Sequence, residues 1–210
     1  MVRVRRVADE GVSYCINEAV DVLREGGIVI YPTDTVYGIA ADAENREAVI
    51  RVYEVKRRPR WKPLTIAVSG MRMLRNYSRV DPLIEELISG FLPGPVTFIL
   101  PKSDRVIPEV NPKAIGIRIP DSLISREIAR RLGRAITSTS ANISSMPPPS
   151  TCSEAIRQVE ADLAIDVGLL PRRRPSTIID LTVKPPALIR EGPLDFQKFI
   201  SRYREVVGWP

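Results

Sequence analysis

Ile28-Val-Ile-Tyr-Pro-Thr-Asp-Thr-Val-Tyr-Gly38 decides the fold. Its first four residues form a continuous apolar run too short for a helix, and they read as a buried strand. Just ahead of it, Ile16, Ala19, Val20 and Leu23 recur at the i, i+3, i+4, i+7 spacing of a half-buried helix, which Gly26-Gly27 ends. A helix that delivers the chain into a buried strand predicts an α/β layer structure. Pro32 fixes the backbone just past the strand and presents Thr33, Asp34 and Thr35 at its carboxyl end, where α/β proteins commonly bind ligands. An ordinary turn is the competing reading of the same residues.

Outward from this stretch, Asn45 is placed to cap a second helix with Val49, Val52 and Tyr53 on one face. Lys56 continues that stripe, which turns it toward the interior. Asp81-Pro82 reads as N-cap and first helical position of a helix through Leu83, Ile84, Leu87 and Ile88 that closes at Gly90. Asp121 is expected to cap a helix with the stripe Leu123, Ile124, Ile128 and Leu132, stopped by Gly133. Thr151 with Glu154 fits a capping box, and Phe196, Phe199, Ile200 and Tyr203 mark a last helix. Strands are expected at Val96 to Leu100, Ile115 to Ile119, Ala135 to Thr139, Leu163 to Asp166, Ser176 to Leu181 and Ala187 to Arg190. Strands alternate with helices early and crowd together late, which predicts one mixed α/β layer structure rather than a regular doubly wound sheet. No repeat and no internal boundary is visible, so residues 1–210 are expected to form one domain.

Composition narrows the chemistry. With 210 residues, 44% hydrophobic and 27% charged, the chain is expected to be globular, neither disordered nor fibrous. Lys plus Arg number 31 against 25 Asp plus Glu, a net charge of +6 that favours anionic partners such as nucleotides, phosphates or RNA. There is no histidine, which excludes Ser-His-Asp and Cys-His catalysis and imidazole zinc sites. Cys15 and Cys152 form no CxxC pair, so a metal cluster or disulfide framework is disfavoured and a cytoplasmic, reducing setting is expected. The charged amino terminus lacks a following apolar segment, and no run approaches the roughly 18 apolar residues of a membrane span. Neither GxxxxGK[ST] nor GxGxxG occurs, so any nucleotide must be held without a P-loop or Rossmann cradle.

Three further segments concentrate polar chemistry. Residues 51–62 hold six basic residues (Arg51, Lys56, Arg57, Arg58, Arg60 and Lys62) and one acid, Glu54. A solvated helix end favoured by the macrodipole is one reading of this density, and an anion site is the other. Lys56 is different, because a cation on the apolar face meets a phosphate or carboxylate with little competition from water. Thr137-Ser-Thr-Ser-Ala-Asn-Ile-Ser-Ser145, leading into Met146-Pro-Pro-Pro149, offers hydroxyls, the Asn142 amide and backbone N–H groups suited to phosphate oxygens, or else a Ser/Thr turn entering the next helix. Arg172-Arg-Arg-Pro-Ser-Thr-Ile-Ile-Asp180 places Ser176 before a strand, and its triple arginine reads as a solvated loop.

Taken in order, seven pieces resemble the YrdC-like family of threonylcarbamoyl-AMP synthases over nearly the whole chain. They are Tyr31-Pro-Thr-Asp-Thr-Val-Tyr-Gly38, Lys56-Arg-Arg-Pro59 with Lys62-Pro-Leu64, Pro93-Gly-Pro-Val-Thr97, Ile117-Arg-Ile-Pro120, Ser138-Thr-Ser-Ala-Asn142, Pro175-Ser-Thr-Ile-Ile-Asp180 and Ile189-Arg-Glu-Gly192. The resemblance implies a twisted, mostly parallel α/β sheet with flanking helices and a large basic cleft. It implies a nucleotidyltransferase, L-threonylcarbamoyladenylate synthase, that turns L-threonine, bicarbonate and ATP into threonylcarbamoyl-AMP and pyrophosphate, with Mg2+ on the phosphates. A separate transferase would then modify tRNA. By position, Thr33, Arg118 and Ser176 correspond to threonine contacts. Lys56, Arg58, Ser138, Ser140, Asn142 and Arg190 correspond to the ATP and bicarbonate grip, with Lys56 and Arg58 catalytic, and Lys62 serves either ligand.

Three positions depart from the family pattern after Ser-Ala-Asn. Ser145 stands for a glycine, Pro148 for a serine and Ser150 for a threonine, so Ser150 either replaces a nucleotide-contacting hydroxyl or ATP is held with fewer contacts. The chain stops soon after its last helix, which fits the short, single-domain form. Two other readings stand beside the synthase. One is a double-stranded RNA or tRNA-binding module that makes no adenylate. The other is a carbamoyl-adenylate-forming domain like that of hydrogenase-maturation proteins, which sits in a longer chain with zinc-binding cysteines.

Overall fold

The computed structural model describes residues 2–171 and 174–208, so Arg172 and Arg173 of the triple arginine lie outside the described residues. The chain begins with β1 (Arg3–Arg6), α1 (Val7–Glu10), α2 (Val12–Arg24), β2 (Val29–Pro32), β3 (Tyr37–Ala40) and α3 (Arg46–Val55). It continues through β4 (Thr65–Ala67), α4 (Met71–Tyr77), α5 (Pro82–Ser89), β5 (Val96–Pro101), β6 (Ala114–Arg118) and α6 (Leu123–Leu132). The remainder is β7 (Ile136–Thr137), β8 (Thr139–Ser140), α7 (Cys152–Gln158), β9 (Leu163–Asp166), β10 (Thr177–Asp180), β11 (Ala187–Arg190) and α8 (Phe196–Val207). No described helix is long and apolar enough to cross a membrane.

The strands form two sheets, ordered β1-β9-β2-β3-β8 and β11-β10-β5-β6-β4-β7. The α/β class is as expected, and both sheets are mixed. Among the described strands β1·β9, β2·β9, β4·β6 and β5·β10 pair in parallel. The pairs β2·β3, β3·β8, β4·β7, β5·β6 and β10·β11 are antiparallel. The turn after β2 is therefore the loop of a hairpin, since Tyr37–Ala40 folds back on it in register Val29↔Ala40 to Pro32↔Tyr37.

Local chemistry sets most element ends. The Asn45 side chain accepts from the Ala48 amide at 3.1 Å, and Asp81 accepts from Leu83 at 2.8 Å with Pro82 in the first turn. Helix α6 corrects one expectation: Ser122, not Asp121, is its N-cap, with its hydroxyl accepting from the Ser125 amide. The reason is tertiary. Ser122 and Ser125 both donate to the Pro32 carbonyl, which ties α6 to the end of β2. Gly133 closes α6 in the left-handed region, and the Thr151–Glu154 capping box opens α7.

The stretch 135–139 is not one strand. Ile136–Thr137 pairs with β4 in the second sheet and Thr139–Ser140 pairs with β3 in the first, so the chain crosses between sheets at Ser138. The Ser138 amide donates to the Thr65 carbonyl at 2.7 Å at that crossing. Strand β2 is covered on both faces, which explains its unbroken apolar run. Ile28 and Ile30 belong to the larger core, whereas Val29 and Tyr31 pack with Ile16, Leu23 and Ile128 of α2 and α6. Helix α8 closes the second sheet through Phe199, whose ring centroid lies 5.3 Å from Phe91 and 5.5 Å from Phe98.

Two backbone features yield stability predictions. A Cβ on Gly192 would stand 2.3 Å from the Thr177 nitrogen and 2.5 Å from the Pro175 oxygen, so β10 must move to admit it. Gly192→Ala is expected to lower stability by roughly 1–3 kcal/mol, read as a reduced urea midpoint at unchanged m-value, and an unchanged midpoint would contradict the close approach. Ser145 has φ 74° in the left-handed region. Ser145→Gly, which restores the residue of the family pattern, should raise stability by about 1 kcal/mol, read as a higher urea midpoint.

Candidate functional site

The sheet crossing, the β2–β3 hairpin loop, the start of β10 and the end of β11 enclose a cleft of about 160 Å³. Thr33, Thr35, Val36 and Gly38 form one wall, Ser138 to Ser140 the floor, and Arg58, Thr65, Thr97, Arg118, Ser176 and Arg190 supply the other polar lining, with Pro63, Leu64, Pro175 and Ile178 between them. No acidic side chain is among the described residues that line it.

The hairpin loop is held by its own side chain. The Thr33 hydroxyl donates to the Val36 carbonyl at 2.7 Å and accepts from the amides of Thr35 at 3.1 Å and Val36 at 3.2 Å. Such a self-bonded turn fixes the loop without the adjacent strands. Beside it Asp34 pairs with Arg118, whose side chains are only 2% and 7% exposed.

Three guanidiniums converge. Arg58 donates from Nε to the Lys62 carbonyl at 3.0 Å and from Nη2 to the Pro63 carbonyl at 2.9 Å. Arg190 donates from Nε and Nη2 to the Ser176 carbonyl, at 3.0 and 2.8 Å, and from Nη2 to the Ser176 hydroxyl at 3.1 Å. The Ser176 hydroxyl also meets the Thr97 hydroxyl at 2.9 Å. Burial, and next the charges of Arg118 and Arg58, lower the Arg190 pKa, and burial lowers that of Arg58. An anion entering this cleft relieves both strains at once.

Lys56 reaches the serine-asparagine turn from behind. It is 1% exposed, and its ammonium donates to the Ser140 carbonyl and, at 2.7 Å, to the Asn142 carbonyl. Its own carbonyl accepts from the Ser144 amide at 2.8 Å, so the end of α3 and the turn are clamped in both directions. Burial, with a further push from Arg58, brings the Lys56 pKa down to about 7. Asn142 turns its amide inward, with Nδ2 donating to the carbonyls of Ile143 at 2.8 Å and Met146 at 2.6 Å.

The expected residues thus divide by location. Thr33, Arg58, Arg118, Ser138, Ser140, Ser176 and Arg190 line one cleft. Lys56 and Asn142 shape its floor. Lys62 stands apart: its ammonium lies 5.1 Å from the centre of the exposed Trp61 ring, and only its carbonyl serves the cleft, through Arg58. Ser150 lies in an adjoining hollow of about 520 Å³ with Pro147, Pro148, Pro149 and Arg174. That hollow shares Thr35 and Val36 with the cleft. There the Ser150 hydroxyl donates to Glu154 at 3.2 Å.

Reasoning on sequence passed over Thr65 and Thr97 as wall residues. Thr97 had a signal, since it alternates with the buried Val96 and Phe98 along β5 and so faces the other side. The site offers fixed cations, hydroxyls and backbone N–H groups, and can gather several anions and offset their repulsion.

Comparison with known proteins agrees with this geometry. The Sua5/YciO/YrdC family model, described as telomere recombination, matches residues 21–192. A Methanocaldococcus jannaschii protein whose name provisionally gives threonylcarbamoyl-AMP synthase is 43% identical over 175 residues, 82% of this chain and 83% of its own length. YciO of Escherichia coli, named as uncharacterized, is 32% identical across 88% of this chain and 92% of its own. The structure of Pyrococcus abyssi Sua5 complexed with L-threonine superposes with a TM-score of 0.87 at 32% identity over 99% of this chain. This chain spans 61% of that longer protein. With a family model matched along most of its length and relatives above 30% identity, this chain belongs to the Sua5/YciO/YrdC family.

Proposed function

We propose that the protein is an L-threonylcarbamoyladenylate synthase, a nucleotidyltransferase that joins L-threonine, bicarbonate and ATP and releases pyrophosphate. The observation that carries the reading is the convergence of Arg58, Arg118 and Arg190 with the Ser138–Ser140 floor in one cleft whose described lining holds no acid. A triphosphate and two carboxylate-like anions repel one another, and fixed cations allow them to sit together. Kinship with a Sua5 whose structure holds L-threonine, and with relatives named for this activity, supports the same substrate.

In this reading the threonine amine attacks the carbon of bicarbonate and expels water, or adds to dissolved carbon dioxide and gives up a proton to solvent, to form a carbamate. A carbamate oxygen then attacks the α-phosphorus, and pyrophosphate leaves in line. Arg118 and Ser176 hold the amino acid near the Thr33 loop, while Arg58, Arg190 and the serine floor hold the phosphates. Lys56 keeps that floor folded toward them. Magnesium enters on the triphosphate of ATP, as part of that substrate. Positioning and charge neutralisation supply most of the rate enhancement. The product would pass to a separate transferase acting on tRNA.

A pyrophosphate-release assay with threonine and bicarbonate omitted in turn tests the reaction. Release should require both; a threonine-independent signal would favour carbamoyl-adenylate chemistry, and salt-sensitive RNA binding with no release would favour a binding module. Arg58→Ala and Lys56→Ala should each lower turnover on the order of 100- to 1,000-fold, as expected for preorganised electrostatic contacts, and wild-type turnover in both would refute the assignment.

A pH profile separates the role of Lys56 from fold stability. Its ammonium loses a proton as pH rises through about 7, so kcat/KM for ATP should fall on that alkaline limb. In the unfolded chain the group titrates near 10.5, so between these values unfolding takes up a proton and stability from this group rises with pH. Activity should therefore decline above neutrality without a fall in Tm, and Lys56→Arg should move the limb upward. Loss of activity that tracks unfolding would contradict the assignment.

A further inference from the structure

We propose that Asp34 is a positioning residue: it fixes the plane of the Arg118 guanidinium and so sets how that arginine meets the carboxylate of the amino-acid substrate. The inference rests on the threonine reading above and deepens it. Asp34 is not among the lining residues; it stands behind Arg118, which is. It therefore acts through the guanidinium and does not touch substrate.

The geometry gives this pair a role the other two arginines lack. Arg58 is held by the carbonyls of Lys62 and Pro63, and Arg190 by the carbonyl and hydroxyl of Ser176. Those neutral acceptors orient a guanidinium and leave its charge uncompensated. Among the described residues, Arg118 alone of the three is held by a carboxylate. The cleft consequently has a charge-compensated end at Arg118 and an uncompensated end at Arg58 and Arg190. A zwitterionic amino acid, with one carboxylate beside an amine, matches the first; a triphosphate is drawn to the second.

The pair also spans the fold. Asp34 sits in the β2–β3 loop of the first sheet and Arg118 at the end of β6 in the second. The loop is set by Thr33 independently of Asp34, so the carboxylate is a fixed point against which the guanidinium is aligned. Asp34 engages the Nη2 end of Arg118, and Nε is buried with no hydrogen-bond partner. Because the fork is planar and rigid, holding one end sets the plane in which the remaining donors are presented.

Calorimetric binding of L-threonine and of Mg-ATP to the wild type, Asp34→Asn and Asp34→Glu tests the inference, with steady-state KM values alongside. Asp34→Asn should weaken L-threonine by roughly 10- to 100-fold, the contribution of a hydrogen bond to a charged group, and raise its KM with little change in kcat. Mg-ATP affinity should stay within about 3-fold, because Arg58 and Arg190 keep their own partners. Asp34→Glu keeps the charge but moves the fork by a methylene, and should give intermediate threonine affinity at unchanged ATP affinity. It carries the test if the asparagine variant fails to fold. Equal weakening of both ligands, or no change in threonine binding, overturns the inference. A wild-type protein that binds ATP but no threonine overturns the functional reading as well, and so distinguishes the two failures.

Discussion

Like charges held close together are the constraint on which this structure depends. Arg58, Arg118 and Arg190 line one cleft, and Arg190 loses proton affinity through burial first and then through the charges of Arg118 and Arg58. Such an arrangement stands only where each guanidinium is tethered from behind. The tethers differ: two carbonyls for Arg58, Ser176 for Arg190 and a carboxylate for Arg118. Each leaves the cleft face turned toward anionic ligand, so the folded state is organised in advance around charge that the ligands must supply.

The backbone route serves the same end. The crossing at Ser138 binds the two sheets together at the cleft floor, and Lys56 clamps the following turn through the carbonyls of Ser140 and Asn142. With those carbonyls bound from behind by the ammonium, the backbone of the Ser138–Ser140 floor is fixed in place. On the opposite wall Gly192 lets β11 approach the start of β10 closely enough for Arg190 to lie over Ser176. Packing that appears remote from the chemistry thus sets the position of each charge.

Much of this was legible in the sequence, and the reasons differ by residue. The buried run at 28–31 and the interior turn of Lys56 followed from burial periodicity, and the caps at Asn45, Asp81 and Thr151 from local hydrogen-bond chemistry. Strand β3 was not anticipated, because Tyr37–Ala40 is buried on both faces and contains a glycine, which erases alternation. The crossing at Ser138 was invisible for another reason: a change of sheet alters partners and leaves local pattern intact. Arg118 and Arg190 emerged only through family resemblance, since their tethers, Asp34 and Ser176, lie 84 and 14 residues away in sequence. Lys62, read by resemblance as serving either ligand, has its ammonium over the Trp61 ring and its carbonyl bonded to Arg58.

Membership of a family that also contains proteins named without an activity places the weight on the cleft itself, not on ancestry. The most direct measurement is a crystal structure of the protein soaked with L-threonine and a non-hydrolysable ATP analogue. The account predicts the phosphates against Arg58, Arg190 and the Ser138–Ser140 floor, with the threonine carboxylate on Arg118 in the same cleft. Phosphates bound outside the cleft, or threonine and nucleotide competing for one position, would contradict it.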